Sequence, residues 1–457
     1  MEALTKRHSR WFYRICLVAI LAMSTACIIT GEDENQASGD HDGDGDGDGG
    51  DGDGGDGDGG DGDGGDGDGG DGDLDDPDTP GNCTDLHVLA ADDLNGGVTI
   101  SENTCYRINN RLTIDDGVLT IEPGVELVFG QDAGLNITGG GRLKAEGTDS
   151  NQIRFTGAEP QRGFWAGITY SQTRSNDNIL DNVIIEYAGS RTWSGGARSQ
   201  AGIYINGDGV QLTIRDSTLR GHSVSAITTD GSATDLILEG NHFVDNHLPL
   251  SLEPRHIGSM AADNTFEDNT NSYVQVRSSD LDEDQTWPVL SVPFEVGSRN
   301  VVGATLTLNA GTEFIFRQDA GLNFSGDGRL NADASGGDPI RFQGTEEISG
   351  FWAGISFDNS LSPNNVLNNV LIENGGSRGW AGGERSQAGL RLARASLVDV
   401  TDTTITGSGK YGVSVENDSQ LTGCSGLQVS DSADEDFFLQ SGGPEGDTHV
   451  CDGNFGS

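Results

Sequence analysis

Thr218-Leu219-Arg220-Gly221-His222, His242-Phe243-Val244-Asp245-Asn246 and Thr265-Phe266-Glu267-Asp268-Asn269 are three versions of one short unit. Leu219, Phe243 and Phe266 stand 24 and 23 residues apart, and His222, Asn246 or Asn269 follows three residues after each. Later in each unit an aliphatic stretch returns as Ala226-Ile227, Leu250-Ser251-Leu252 and Val274-Gln275-Val276. Ile405 and Leu427 continue the period with a spacing of 22. Short strands of alternating polarity, punctuated by Gly, Asn and Asp, fit such a pattern, and helical periodicity is nearly missing after residue 80.

A period of this length predicts an all-β chain folded as a right-handed parallel β-helix solenoid. Coils stack at ~4.8 Å, with Ile, Leu, Val and Phe turned inward and Asn at a repeated turn position forming a ladder from coil to coil. About fifteen coils of ~22 residues would make a rod about 70 Å long. A propeller would need antiparallel hairpins, and an immunoglobulin-like sandwich a shorter turn spacing.

A longer repeat lies over this one. Leu119 to Gly202 aligns without a gap on Leu306 to Gly389, at an offset of 187 residues. Gln131 to Asn136 recurs as Gln318 to Asn323, Phe164 to Ile168 as Phe351 to Ile355, and Arg198 to Gly202 as Arg385 to Gly389. The solenoid is therefore expected as two duplicated halves, 83–280 and 281–457. Trp287-Pro288-Val289-Leu290-Ser291-Val292-Pro293-Phe294, with its two prolines, is the expected junction. Stacked in register, the halves would set equivalent sites along one face.

Leu119-Thr120-Ile121-Glu122-Pro123-Gly124-Val125-Glu126-Leu127-Val128-Phe129, Ile153-Arg154-Phe155-Thr156-Gly157, Gly163-Phe164-Trp165-Ala166-Gly167-Ile168 and Val183-Ile184-Ile185-Glu186-Tyr187-Ala188-Gly189 carry a resemblance. They resemble bacterial secreted or lipid-anchored parallel β-helix repeat proteins with the pectate-lyase-like fold. The resemblance covers nearly all of 83–440. It implies the fold but no single activity, because that scaffold hosts lyases, hydrolases, epimerases and adhesins.

The start of the chain reads as an export signal. Lys6, Arg7, Arg10 and Arg14 precede an apolar run from Ile15 to Met23 that is too short to span a bilayer. Ser24-Thr25-Ala26-Cys27 resembles a lipobox, departing from it at Ser24, where Leu is usual. Residues 1–26 are thus expected to be a lipoprotein signal peptide, with Cys27 lipidated at the outer membrane, periplasmic or surface-exposed. Residues 27–82 are expected to be a disordered Asp/Gly-rich tether, since Asp-Gly-Asp-Gly-Gly repeats five times over 46–70 and buries nothing. Asp42, Asp44, Asp46 and Gly47 copy the opening of a Ca²⁺ loop without its closing Glu, so weak Ca²⁺ binding is the only cofactor expectation. The net charge is −47, and residues beyond the tether remain acidic, which argues against a nucleic-acid partner. Cys83, Cys105, Cys424 and Cys451 in an exported chain predict disulfides Cys83–Cys105 and Cys424–Cys451. Metal ligation is the rival, without a CxxC spacing or paired His to favour it.

The catalytic runs of polygalacturonase-like hydrolases are not intact. Gly221-His222-Ser223 comes nearest to one, but His222 falls in the column of Asn246 and Asn269. His242, Asp245, His247, Glu253, Arg255 and His256 form a polar cluster that turn formation explains. The duplicated aromatics are the stronger candidates. Trp165 and Trp352 read as coil packing, while Trp193 and Trp380 stand in Gly/Ser/Arg-rich loops beside Arg191 and Arg378, Arg198 and Arg385, and Gln200 and Gln387. Trp193, Arg198, Trp380 and Arg385 are therefore the candidate ligand-binding residues, an aromatic face for a sugar ring and a guanidinium for its hydroxyls or carboxylates. Glu186 and Glu373 are matched too and are expected to satisfy turn amides. The expected function is a non-enzymatic binding or adhesion surface for a polysaccharide or surface protein. The alternative is a polysaccharide-active enzyme on the same scaffold.

Overall fold

The computed structural model describes residues 86–440, apart from 102–103 and 232–233. Cys27, the Asp/Gly segment, Cys83 and Cys451 lie outside the described residues. The described chain is nearly all-β, and every pairing between its strands is parallel. Its one α-helical turn is Pro254–Ile257.

The strands gather into five sheets. Sheet A has eight strands, from His87–Val88 to Thr265–Glu267. Sheet B has six, from Thr99–Ile100 to Thr234–Glu239. Sheet C has thirteen, from Arg111–Ile114 to Gln428–Ser430, and runs through both duplicated stretches. Sheet D has six, from Gln285–Trp287 to Gln420–Gly423, and sheet E six, from Arg299–Val302 to Phe437–Leu439. Up to Leu252 the chain visits A, C and B in turn; from Phe294 onward it visits C, E and D. Most strands pair with the third before them, and a few, such as those at Thr265–Glu267, Val274–Val276 and Phe294–Val296, with the second, an arrangement compatible with a parallel β-helix.

The repeated apolar positions are in register. Leu127, Phe155, Ile185, Leu219, Phe243 and Phe266 pair in succession across sheet A and are buried. In sheet C, Ile203, Ile227, Leu250, Val274, Phe294, Phe314 and Phe342 do the same, their side chains meeting one another down the stack. Phe294, Phe314 and Phe342 approach ring to ring at 5.5 and 5.1 Å. Ile405 pairs with Val429, not with Leu427 as the spacing of 22 predicts. The extra two residues lie in the preceding turn, which period counting on one apolar residue does not detect.

The Asn column forms a ladder of side chain to main chain. Asn246 Oδ1 accepts from His222 N–H at 3.1 Å, and Asn269 Oδ1 accepts from Asn246 N–H at 2.9 Å. The Nδ2 groups donate backward to Leu219 and Phe243 carbonyls at 2.9 and 2.8 Å. Each rung therefore satisfies buried backbone groups that the turn would otherwise leave unpaired. A second ladder, Ser217-Asn241-Asn264, serves the turn from sheet B to sheet A.

The duplication does not repeat on the same sheets. Glu126–Phe129 lies in sheet A but its copy Glu313–Phe316 lies in sheet C. Gly134–Thr138 lies in sheet C, and its copy Gly321–Ser325 in sheet E. The second copy is thus stepped round by one sheet. The expectation of equivalent sites along one face is corrected: Trp193 lies over sheet C, and Trp380 over sheet E.

Candidate functional site

The loop after Glu186 folds back over sheet C, and Trp193 is its inner anchor. Its indole Nε1 donates to the Ala166 carbonyl at 3.3 Å, and its ring covers Gly134 so closely that a Cβ there would lie 2.8 Å from it. The Arg111 guanidinium sits 4.4 Å from the other face of the arrangement and donates to the Thr192 carbonyl at 3.0 Å. Trp380 repeats this on sheet E, with Nε1 on the Ala353 carbonyl at 3.1 Å, Gly321 against the ring and Arg299 at 4.5 Å. The rings proposed as sugar platforms are therefore packed against backbone and guanidinium. Arg111 and Arg299 lie outside the gapless alignment, separated by 188 residues, so the 187-residue offset did not pair them.

The rest of each loop is held from within. Ser199 Oγ accepts from the Trp193 and Ser194 N–H groups at 3.0 Å, and Gln200 Nε2 donates to the Gly189 carbonyl at 2.7 Å. Gln387 Nε2 donates to the Ser377 carbonyl at 3.2 Å. Arg191 and Arg378 reach Asp132 and Asp319 at 3.4 and 3.7 Å. Arg198 and Arg385 are exposed and take no ion pair among the described residues, which leaves both guanidiniums available to a ligand.

Trp165 and Trp352 are coil packing, as expected: both are fully buried, stacked on Phe129 and Phe316 at 3.9 and 4.0 Å. The expectation that Glu186 serves turn amides is corrected. Its buried carboxylate lies between Arg154 and Arg220, with Arg220 Nε at 2.7 Å. Glu373 lies farther from its cation, 3.8 Å from Arg341, and Thr406 stands where Arg220 does in the first copy.

His222 is a ladder residue. Its Nδ1 accepts from Ala188 N–H at 3.1 Å, and burial lowers its pKa to about 3. The ring is therefore neutral and closed off from the surface. The polar cluster around it does not converge. His242 meets Thr265 and Glu267 on sheet A, Asp245 pairs with Arg162 from 83 residues earlier, and Glu253 and His256 lie at the helical turn, 3.6 Å from each other. Among the described residues no group of three or more His, Cys, Asp or Glu is arranged to hold a metal ion.

What the structure does bring together is a groove on sheet C, beside the first loop. It is a cavity of about 420 Å³ lined by Arg198, Asp230, Glu253, Gln275, Arg277 and Arg317, among others. Its walls come from strand ends. Asp230 closes Ser225–Asp230, while Glu253, Arg277 and Arg317 each follow a strand of the paired series ending at Leu252, Val276 and Phe316. These side chains therefore form a row across the coils. Arg277 meets Asp230 at 3.4 Å, and the Tyr204 hydroxyl donates to Asp230 at 3.1 Å. On the floor, Gln275 accepts from Ser251 at 2.9 Å and donates to Glu295 at 3.3 Å, and Glu295 pairs with Arg317.

Glu253, half-buried in the groove wall, and Glu295, buried beneath the lining, are pulled in opposite directions. Burial works against the charge of Glu253, but bonds from His256 and the Gly231 N–H, with the Arg277 charge, hold its pKa below the usual value. At Glu295 burial prevails over Arg317 and Gln275 and raises it. Sequence reading made Arg198 a candidate and put Glu253 in a polar cluster that it attributed to turns, but missed Asp230, Gln275, Arg277, Glu295 and Arg317. Only the parallel register brings these five together, so no local motif marked them. Compared with protein-family models, curated proteins and solved structures, the chain matches none of them.

Proposed function

We propose that this chain is an exported lipoprotein, tethered to the outer membrane through Cys27, whose folded part presents a non-enzymatic binding surface to a glycan or another protein. The observation that supports the binding reading is the groove on sheet C. Charged side chains with free hydrogen-bonding capacity stand there on strand ends locked by parallel pairing, which is the rigid footing a binding constellation needs. The scaffold is read as a right-handed parallel β-helix, because parallel crossovers are right-handed in nearly every known case. Disulfides Cys83–Cys105 and Cys424–Cys451 would hold its ends against fraying, and the Asp/Gly tether would hold it away from the membrane.

A second reading, a polysaccharide-active enzyme, draws on the opposite shifts of Glu253 and Glu295. Carboxyls driven apart in this way suit a general acid and an ionised partner. Full-length protein extracted in mild detergent distinguishes the two. Under the first reading it retains a polysaccharide or an envelope protein from an immobilised panel and releases neither reducing ends nor unsaturated products. Product release that Glu295→Gln abolishes would establish the second reading instead. For the anchor, Cys27→Ala should move the protein out of the membrane fraction or leave it unprocessed; unchanged fractionation and mass would refute it.

A further inference from the structure

We infer that the groove on sheet C takes a neutral glycan, gripped at ring edges by guanidinium and carboxylate groups rather than stacked on an aromatic face; this rests on the binding-surface reading above. No aromatic side chain lines the groove. The nearest duplicated aromatic platform, Trp193, is already occupied by Gly134 and Arg111.

The charges of the groove balance. Arg198, Arg277 and Arg317 face Asp230, Glu253 and the floor carboxyl of Glu295, in a chain whose overall charge is −47. An acidic polymer approaching this site meets the repulsive field of the whole protein, while a basic ligand finds carboxylates over the entire surface and no reason to prefer this place. A hydroxyl both donates and accepts, so a polyhydroxylated neutral chain suits a row that offers both donors and acceptors. The donors are available. Arg198 takes no ion pair among the described residues, and Arg317 is half exposed, using Nε for Glu295 and one terminal nitrogen for Tyr273. The acceptors are available too, since the Asp230 side chain remains 38% exposed beside Arg277. The row crosses the coils at steps of ~4.8 Å, so a linear ligand lying along the stack meets Asp230, Glu253, Arg277 and, past the gap left by Gly297, Arg317. The cavity falls within the ~300–1,000 Å³ usual for ligand sites.

The test titrates full-length protein in detergent with cello-, malto-, manno- and xylo-hexaose, and with an oligogalacturonate as acidic comparator, by calorimetry. At least one neutral hexasaccharide should saturate. Its affinity should change less than about twofold between about 20 and about 300 mM salt, because no net charge is transferred. Arg198→Ser and Asp230→Asn should each weaken it about tenfold, the loss of one charged hydrogen bond, with the melting temperature unchanged. Lys144→Ser, on sheet B, should leave it as it was. Saturation by the acidic oligomer alone, or by no neutral hexasaccharide, overturns the inference. Neutral binding indifferent to both groove substitutions overturns the site while leaving the binding-surface reading in place. Failure of every glycan together with every envelope protein removes both.

Discussion

The two Trp loops are built alike and stand on different ground. In each, an indole covers a glycine of the sheet beneath, donates to an alanine carbonyl and lies against an arginine from much earlier in the chain. Beyond residue 202 the copies part. Tyr204 reaches Asp230 on sheet C, and the groove opens next to it. The equivalent position on sheet E holds Arg391, which is only 3% exposed and bonds Glu416 at 2.8 Å and Ser356 at 3.1 Å. Lys410 then ties Glu384 of that loop at 2.9 Å. One copy leaves its charged groups partly free for a ligand, and the other spends them on itself. Duplication therefore preserved the loop's internal contacts, while its position on the stack decided what the loop overlooks.

The ion columns differ in the same way and allow the largest test. Glu186→Gln leaves Arg154 and Arg220 without their shared buried anion and should cost about 3–5 kcal/mol in denaturant unfolding. Glu373→Gln acts on a partly exposed pair and should cost less than about 1 kcal/mol. Equal losses would show that the two copies are energetically alike in spite of their different partners.

A smaller effect tests what the copies share. Trp193→Ala and Trp380→Ala should each destabilise by about 2–3 kcal/mol, somewhat below a fully buried Trp, because both rings are only partly covered. A neutral outcome at either position would reinstate that ring as an exposed platform.

The mildest test concerns the ladder, where His222 occupies a place that Asn246 and Asn269 fill elsewhere. Unfolded, its imidazole protonates near the ordinary 6.5; folded, it stays neutral to about pH 3. Protons therefore favour unfolding below pH 6.5, and the contribution is fully present only above that value. Between pH 7 and 5 the parent should lose about 2 kcal/mol more than His222→Asn, which keeps an acceptor for the Ala188 N–H. Parallel pH profiles for the two proteins would show that His222 titrates alike folded and unfolded.

Much of the architecture was legible because it is written locally. Leu219, Phe243 and Phe266 repeat at the coil length, so they fall in register, and Asn246 and Asn269 recur because a buried turn must satisfy its amides at each coil. The second ladder of Ser217, Asn241 and Asn264 went unread, since a change of residue type hid its column. The Trp165 and Trp352 packing could be inferred from their apolar flanks. The cover on Trp193 could not, because Arg111 comes from a distant coil.

The sequence by itself determined the strand period, the inward columns and the copying of 119–202 onto 306–389, all properties of neighbours along the chain. Only the tertiary structure decided that the second copy lies one sheet further round, and that Asp230, Glu253, Arg277, Glu295 and Arg317 share a groove. The reason is physical. A coil's length is set by its turns, and the irregular stretch around Pro254–Ile257 and Trp287 changes which strand stacks on which. A shift of one strand leaves every local pattern intact while giving each outward side chain new neighbours.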